Sequence, residues 1–323
     1  MSHPPTPSTP PPSGLTGSVA TGGTGVEVML ATSPPTVFDS DTGTKGTVAG
    51  LPAGERVVGL RRVGEAVVIT TERPCSRECG LGDVFVYDAG ALTSLGEAFA
   101  VAPGADQDTV WAIREDSPES CRLEHVSLTG RPLGTGTVAS CSTIVREETS
   151  RGLLITVHNG TAETTDVLID PDTGRSVRQA PSILAAFGNR LILGGLTDLT
   201  VVDLRDGSRK KLQPPVVRTN PLVLPSRDGA SVAVDFGSPA WHGSDIQTRD
   251  VWLLDLADYT WQHAPSMPYR TETLKHSSLD WSAEGDLVLD DGVVAVWHPG
   301  EPTWRLGRAE LTGDLQAAAV VTS

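Results

Sequence analysis

Seven times along this chain an apolar run ends in a turn carrying Asp or Gly. The copies are "TVFDSDTG" (36–43), "DVFVYDAG" (83–90), "LEHVSLTG" (123–130), "DVLIDPDTG" (166–174), "LTVVDLRDG" (199–207), "DVWLLDLAD" (250–258) and "VVAVWHPG" (293–300). Aligned at Asp39, Asp88, Ser127, Asp170, Asp203, Asp255 and Trp297, they recur in steps of 33 to 52 residues, 43 on average. A fixed period of this kind marks a chain built from stacked units, none of which can bury its apolar faces alone. Alternating apolar residues within each copy indicate strands, and helical periodicity is almost absent. Four short strands and their turns need roughly 40–50 residues, the length of one β-propeller blade. The 34 Gly and 24 Pro suit many tight turns. The expected fold is therefore all-β: a seven-bladed β-propeller of four-stranded antiparallel blades.

Strands between the landmarks complete each unit. Labelled a to d from the central channel outward, blade 2 is expected to run a 56–62, b 66–72, c 83–88 and d 92–98. Before the sixth and seventh landmarks stand the pairs "NPLVLPSRDG" with "ASVAVDF" and "SSLDWSAEG" with "DLVLDD". Only one clear strand, "GVEVMLAT" (25–32), precedes the first landmark, whereas a spare segment follows "TWRLGRAE" (303–310). The economical solution is ring closure, with 314–321 supplying strand a to the blade made by 25–49, which leaves no open edge in the array.

Single blades carry resemblances. "DVWLLDLADYTWQHAPSMPYR" (250–270) resembles a Kelch motif, with Asp255, Trp261, Met267-Pro268 and Arg270, and "LILGG" (191–195) looks like the Kelch diglycine strand. "LPSRDGASVAVD" and "WSAEGDLVLDD" are more similar to the turns of Tol-system and YVTN propellers. These resemblances imply the fold over about 300 residues. They carry no functional residue across, because propellers share architecture and not chemistry.

The formal net charge is −15, and such a surface repels phosphate backbones and anionic headgroups. Nucleic acid is not an expected partner. No run of about 18 apolar residues is present, so no membrane insertion is expected within this chain. Arg outnumbers Lys 21 to 4, a bias associated with GC-rich bacterial genes. The opening "MSHPPTPSTPPPSGLTGSVATGG" is rich in Pro, Ser, Thr and Gly. It lacks the apolar surface to offset its ordering entropy, so 1–24 is expected as a disordered leader or a stalk beyond a membrane anchor, and 25–323 as the propeller domain.

Long loops should concentrate on one face, where b–c and d–a connections emerge: 72–82, 114–120, 157–165, 237–249 and 264–276. Two clusters fall there. Trp241, His242, Asp245, Tyr269 and His276 are the candidate ligand-binding residues, with an aromatic surface for stacking on a peptide or sugar. His242, Asp245 and His276 also have metal-ligating chemistry, although no zincin-type spacing supports it. The cysteines form the second cluster. An even count in loops suggests Cys75–Cys79 and Cys121–Cys141 disulfides, with free thiols or a zinc site as alternatives. Asp290-Asp291 has the form of a carboxylate pair but ends a strand, and "HNGT" (158–161) is a glycosylation sequon by pattern. No nucleophile elbow, phosphate loop or dinucleotide fingerprint occurs.

The expectation is a monomeric, extracytoplasmic, non-catalytic module, without cofactor, that recognises a protein, peptide or glycan. A metal-assisted lyase or hydrolase at the channel mouth is the alternative, and free thiols would instead indicate a cytoplasmic scaffold.

Overall fold

A computed structural model describes residues 15–16, 19–73, 81–117, 120–158, 164–180, 182–195, 197–217, 221–237, 250–266, 269–270, 278–290, 292–311 and 318–322. Every ordered element in it is a strand; the strands make seven four-stranded antiparallel sheets, one of them extended by a fifth strand, and one separate two-stranded pair. Blade 2 consists of Arg56–Val63, Ala66–Glu72, Gly82–Asp88 and Ala91–Ala98, within a residue of the sequence expectation. Blades 3 to 7 follow in order, with inner strands at Ala100–Pro103, Ile144–Thr149, Ile183–Phe187, Leu222–Pro225 and Ser278–Trp281.

The recurring Asp has a local cause. At the end of strand c of blade 1, Asp39 Oδ1 accepts hydrogen bonds from the amides of Asp41 (2.8 Å) and Thr42 (2.9 Å). The Gly43 amide then donates to the Asp39 carbonyl. Asp170 and Asp203 repeat this arrangement with Gly174 and Gly207. Those glycines hold the left-handed conformation that the turn requires (φ 73°, 67° and 74° at Gly43, Gly174 and Gly207). In blade 6 the same place is taken by Tyr259 at φ 63°, with Asp255 Oδ1 still accepting from the Ala257 amide. These backbone donors hold the Asp39 carboxyl below its usual range.

Burial follows the gaps between blades. Separate apolar clusters join each neighbouring pair: Met29 with Ile69 and Phe85, Val84 with Val110, Trp111 with Leu153, Leu168 with Val202, Val201 with Val232, Leu253 with Trp304, and Val296 with Phe38. The last pair joins blade 7 to blade 1, so the packing runs round a closed ring. Trp281, Trp297 and Trp304 fill the sector of blades 6 and 7, and each indole N–H donates to a carbonyl, of Leu224, Glu301 and Pro265 respectively.

Ring closure is as the strand count predicts. Ala318–Thr322 pairs antiparallel with Glu27–Leu30 and serves as the inner strand of blade 1. Two features differ from the sequence reading. Within the 1–24 segment, Val19–Thr21 runs parallel to Trp304–Leu306 as the extra outer strand of blade 7, so the strand framework begins before residue 25. Residues 114–117 and 120, expected as part of a loop, belong instead to the antiparallel strands Thr109–Ser117 and Ser120–Ser127.

Candidate functional site

Strand a of each blade enters from the face that carries the b–c and d–a connections. Near that end, three inner strands expose aliphatic side chains: Val58 (42%) in blade 2, Ile144 (47%) in blade 4 and Leu222 (49%) in blade 6. Val58 is pushed out of register by a bulge between Val57 and Gly59. Exposed aliphatics on three alternate blades give the channel mouth an apolar rim. At the other end of the channel, Arg227 in the a–b turn of blade 6 donates to the Gly64 carbonyl (2.7 Å) in the a–b turn of blade 2 and pairs with Glu65 (3.3 Å). Those blades lie across the ring from one another, so this contact bridges the channel floor.

The loop between strands b and c of blade 6 was the principal candidate. Trp241, His242, Asp245 and His276 lie outside the described residues. Tyr269 lies on a two-residue strand, Tyr269–Arg270, paired with Leu15–Thr16. At the foot of that loop the chain is held by Asp235. Asp235 Oδ1 accepts from the amides of Gly237 (2.8 Å) and Asp250 (3.1 Å), clamping the two ends together. Asp250 Oδ1 in turn accepts from Trp252 Nε1 (3.0 Å) and contacts His263 Nε2 (2.9 Å). The Trp252 and His263 rings stack with centroids 4.3 Å apart. Half of the His263 side chain is exposed (52%). Asp250, Trp252 and His263 thus form a stacked polar-aromatic platform on the outer strands of blade 6, on the same face as the exposed aliphatics. Neither Trp252 nor His263 is among the candidates singled out from the sequence. The signal was present, because a hairpin turning at 255–260 sets residue 252 opposite residue 263.

The same face carries the Cys121–Cys141 pair. Cys121, buried at the start of strand c of blade 3, is bonded to Cys141 just before strand a of blade 4, with Cα atoms 5.0 Å apart. Cys75 and Cys79 lie outside the described residues. At the foot of their loop Arg73 gathers Glu55 (3.2 Å), Asp83 (2.8 Å) and Glu97 (2.5 Å) from three different segments of blade 2. Asp290 ends strand b of blade 7, buried, and accepts from Ser278 Oγ (2.9 Å), a structural position. Among the described residues no group of three or more His, Cys, Asp or Glu side chains is arranged to hold a metal ion.

Two buried carboxylates clasp inner strands of adjacent blades. Glu147 Oε2 accepts from the Ala186 amide (2.6 Å), and Asp280 Oδ2 from the Val320 amide (3.1 Å). Each satisfies a donor on a strand edge that has no further strand beside it. Burial raises the pKa of both, more than the amide bonds and nearby arginines lower it. A raised folded-state value means that stability is fully present below the ordinary carboxylate range and is lost as pH rises through the folded value. Glu147→Gln keeps an acceptor for Ala186 and cannot ionise. Its urea midpoint should equal that of the parent near pH 4 and exceed it increasingly towards pH 8. An equal difference at both pH values would show that ionisation of Glu147 is not penalised.

The strand order, the ring closure and the channel define a seven-bladed β-propeller. Comparisons with solved structures agree on the fold. A candidate 6-phosphogluconolactonase from Bacteroides uniformis is similar with a TM-score of 0.53 and 14% identity, over 92% of this chain and 99% of that one. The Neurospora crassa Pan2 WD40 domain is similar at 0.52 and 11% identity, over 89% of this chain and 87% of that one. Prolyl oligopeptidase B from Galerina marginata gives 0.54 and 9% identity, over 89% of this chain and 48% of that one. At these identities the likeness is one of architecture alone. No protein-family model and no curated protein matches the chain.

Proposed function

We propose that this propeller is a non-catalytic binding module working outside the cytoplasm, with the loop-bearing face as its recognition surface for a protein or peptide segment. The observation that carries the reading is the conjunction, on one face, of the apolar rim Val58, Ile144 and Leu222 with the Asp250–Trp252–His263 platform. Apolar contact supplies affinity, and a few fixed polar groups supply orientation. Trp241, His242, Asp245, Tyr269 and His276 would extend that surface. The Cys121–Cys141 bond suits an oxidising compartment, and the Pro-rich opening suits a stalk.

Panning a random peptide library on the immobilised protein, beside a glycan array, tests this. Recovered ligands should lose about tenfold or more in affinity with Leu222→Asp and with His263→Ala, the loss expected when an interface contact is truncated. Val177→Asp, on the outer strand of blade 4, should leave them unchanged. Ligands indifferent to both loop-face changes would defeat the proposal. The competing reading is a metal-assisted lyase or hydrolase using His242, Asp245 and His276. It requires bound divalent metal and a turnover abolished by His242→Ala, and that result would replace the binding-module reading.

A further inference from the structure

A cavity of about 240 Å³ opens between blades 3 and 4 on the face away from the long loops. One wall is a parallel stack of Trp111 on His125, neighbours across strands b and c, with centroids 4.3 Å apart and planes 6° from parallel. Glu148, from the inner strand of blade 4, reaches into the gap between the blades. Its Oε2 accepts from Trp111 Nε1 (2.8 Å) and from the Ala105 amide (2.7 Å). Both donors use one oxygen, so Oε1 has no partner among the described residues. Asp172, in the c–d turn of blade 4, adds a second carboxylate, and no Lys or Arg lines the space.

The remaining wall is the backbone of 133–137, held close by glycine. Gly136 has φ +70°, and a Cβ there would lie 2.7 Å from Arg122 Cδ. Arg122 braces this segment by donating to the Thr135 carbonyl (2.9 Å), with its charge already matched by Asp116 (3.0 Å). On the stack side, Gly104 makes room for His125, whose Nε2 is buried with no hydrogen-bond partner.

We infer that this cavity binds a guanidinium or alkylammonium group. Two carboxylates without a compensating Lys or Arg, one of them with an oxygen unclaimed by any neighbour, favour positive charge and oppose an anion. The volume falls below the roughly 300 Å³ at which ordinary small-molecule pockets begin, so the occupant is a group the size of a side chain. A stacked sugar would need an open indole face, but Trp111 is only 5% exposed and His125 covers one side of it. The cation could be a free amine or an Arg side chain presented by a partner. Leu133, 44% exposed at the rim, would meet the apolar flank of either.

Calorimetric titration of the intact chain with agmatine, acetyl-Gly-Arg-Gly-amide and the citrulline analogue of that peptide decides the matter. One site is expected for a guanidinium probe, with no uptake of the neutral citrulline peptide and weaker binding as salt rises. Asp172→Asn, an exposed turn position, and Glu148→Gln should each weaken binding about tenfold, a loss of roughly 1.4 kcal/mol. Tighter binding of the Arg peptide than of agmatine identifies a protein-borne side chain as the natural occupant, and the reverse order identifies a free amine. Absence of binding by both guanidinium probes overturns the inference. So does uptake of citrulline equal to arginine, or an affinity that neither substitution alters. The cavity lies on the opposite face from the recognition surface proposed above, so either idea can fail without the other.

Discussion

A chain shortened to residue 317 should lose its cooperative unfolding transition altogether. The missing strand, Ala318–Thr322, is the whole inner strand of blade 1. Val320 and Ala319, both fully buried, belong to the clusters that join blade 1 to blade 7 on one side and to blade 2 on the other. Removing them opens both interfaces, exposes the edge of Glu27–Leu30 and leaves the buried Asp280 without the Val320 amide. Each buried Val-sized side chain contributes about 1.5–3 kcal/mol, comparable with a sizeable part of the roughly 5–15 kcal/mol that stabilises a typical domain. The ring cannot redistribute this loss, because a closed array has no spare interface. Calorimetry should show no endotherm, and circular dichroism no sigmoidal melt. A shortened protein that keeps the parent Tm would mean that blade 1 is stable as three strands and that closure is incidental. Val320→Asp provides a graded version, with the charge buried at the same seam.

The architecture was legible because its punctuation is chemical. Asp39, Asp170 and Asp203 each fold a turn with the side chain and precede a glycine that must be left-handed, so the same letters recur where strand c ends in blades 1, 4 and 5. Counting strands between those marks then required the C-terminal segment to close the ring. The misread segments are those where composition and pairing conflict. Residues 114–120 are polar and suggest a loop. In the fold Arg114 pairs with Glu124 (3.2 Å) and Arg122 with Asp116 (3.0 Å), and these cross-strand ion pairs accompany strands extended beyond the apolar core. Val19–Thr21 is too short for any period, and its parallel partner lies some 285 residues away, a relation that no local pattern encodes. The Trp111–His125–Glu148 wall was equally hidden. Its first pair depends on the register of Thr109–Ser117 against Ser120–Ser127, and Glu148 arrives from the next blade. The loop residues chosen for function were selected by residue type and loop length, properties that place them on a face without fixing their geometry.

Replacing both Cys121 and Cys141 with serine should cost about 3 kcal/mol, from the loss of a cross-link spanning 20 residues. The bond closes a loop that includes the outer strand of blade 3 and ties strand c of that blade to the entrance of blade 4. Its removal acts first on the unfolded chain, which regains the entropy of the open loop. A native-state term adds to it, because Cys121 is fully buried in the cluster of Trp111, Leu123 and Leu153, and a hydroxyl there has no assigned acceptor. Cys121→Ala with Cys141→Ala separates the two contributions: it removes the cross-link without placing a hydroxyl in the core and should be the less damaging change. Both double variants should unfold at lower urea concentration than the parent, and reductant should lower the parent towards them while leaving them unmoved. Intact mass after alkylation of the unreduced, denatured protein supplies the complementary measurement. No adduct at Cys121 or Cys141 is expected, consistent with folding in an oxidising compartment. Quantitative alkylation at both, in protein taken directly from its native source, would instead place the folded chain among reduced thiols and remove the main support for an extracytoplasmic role.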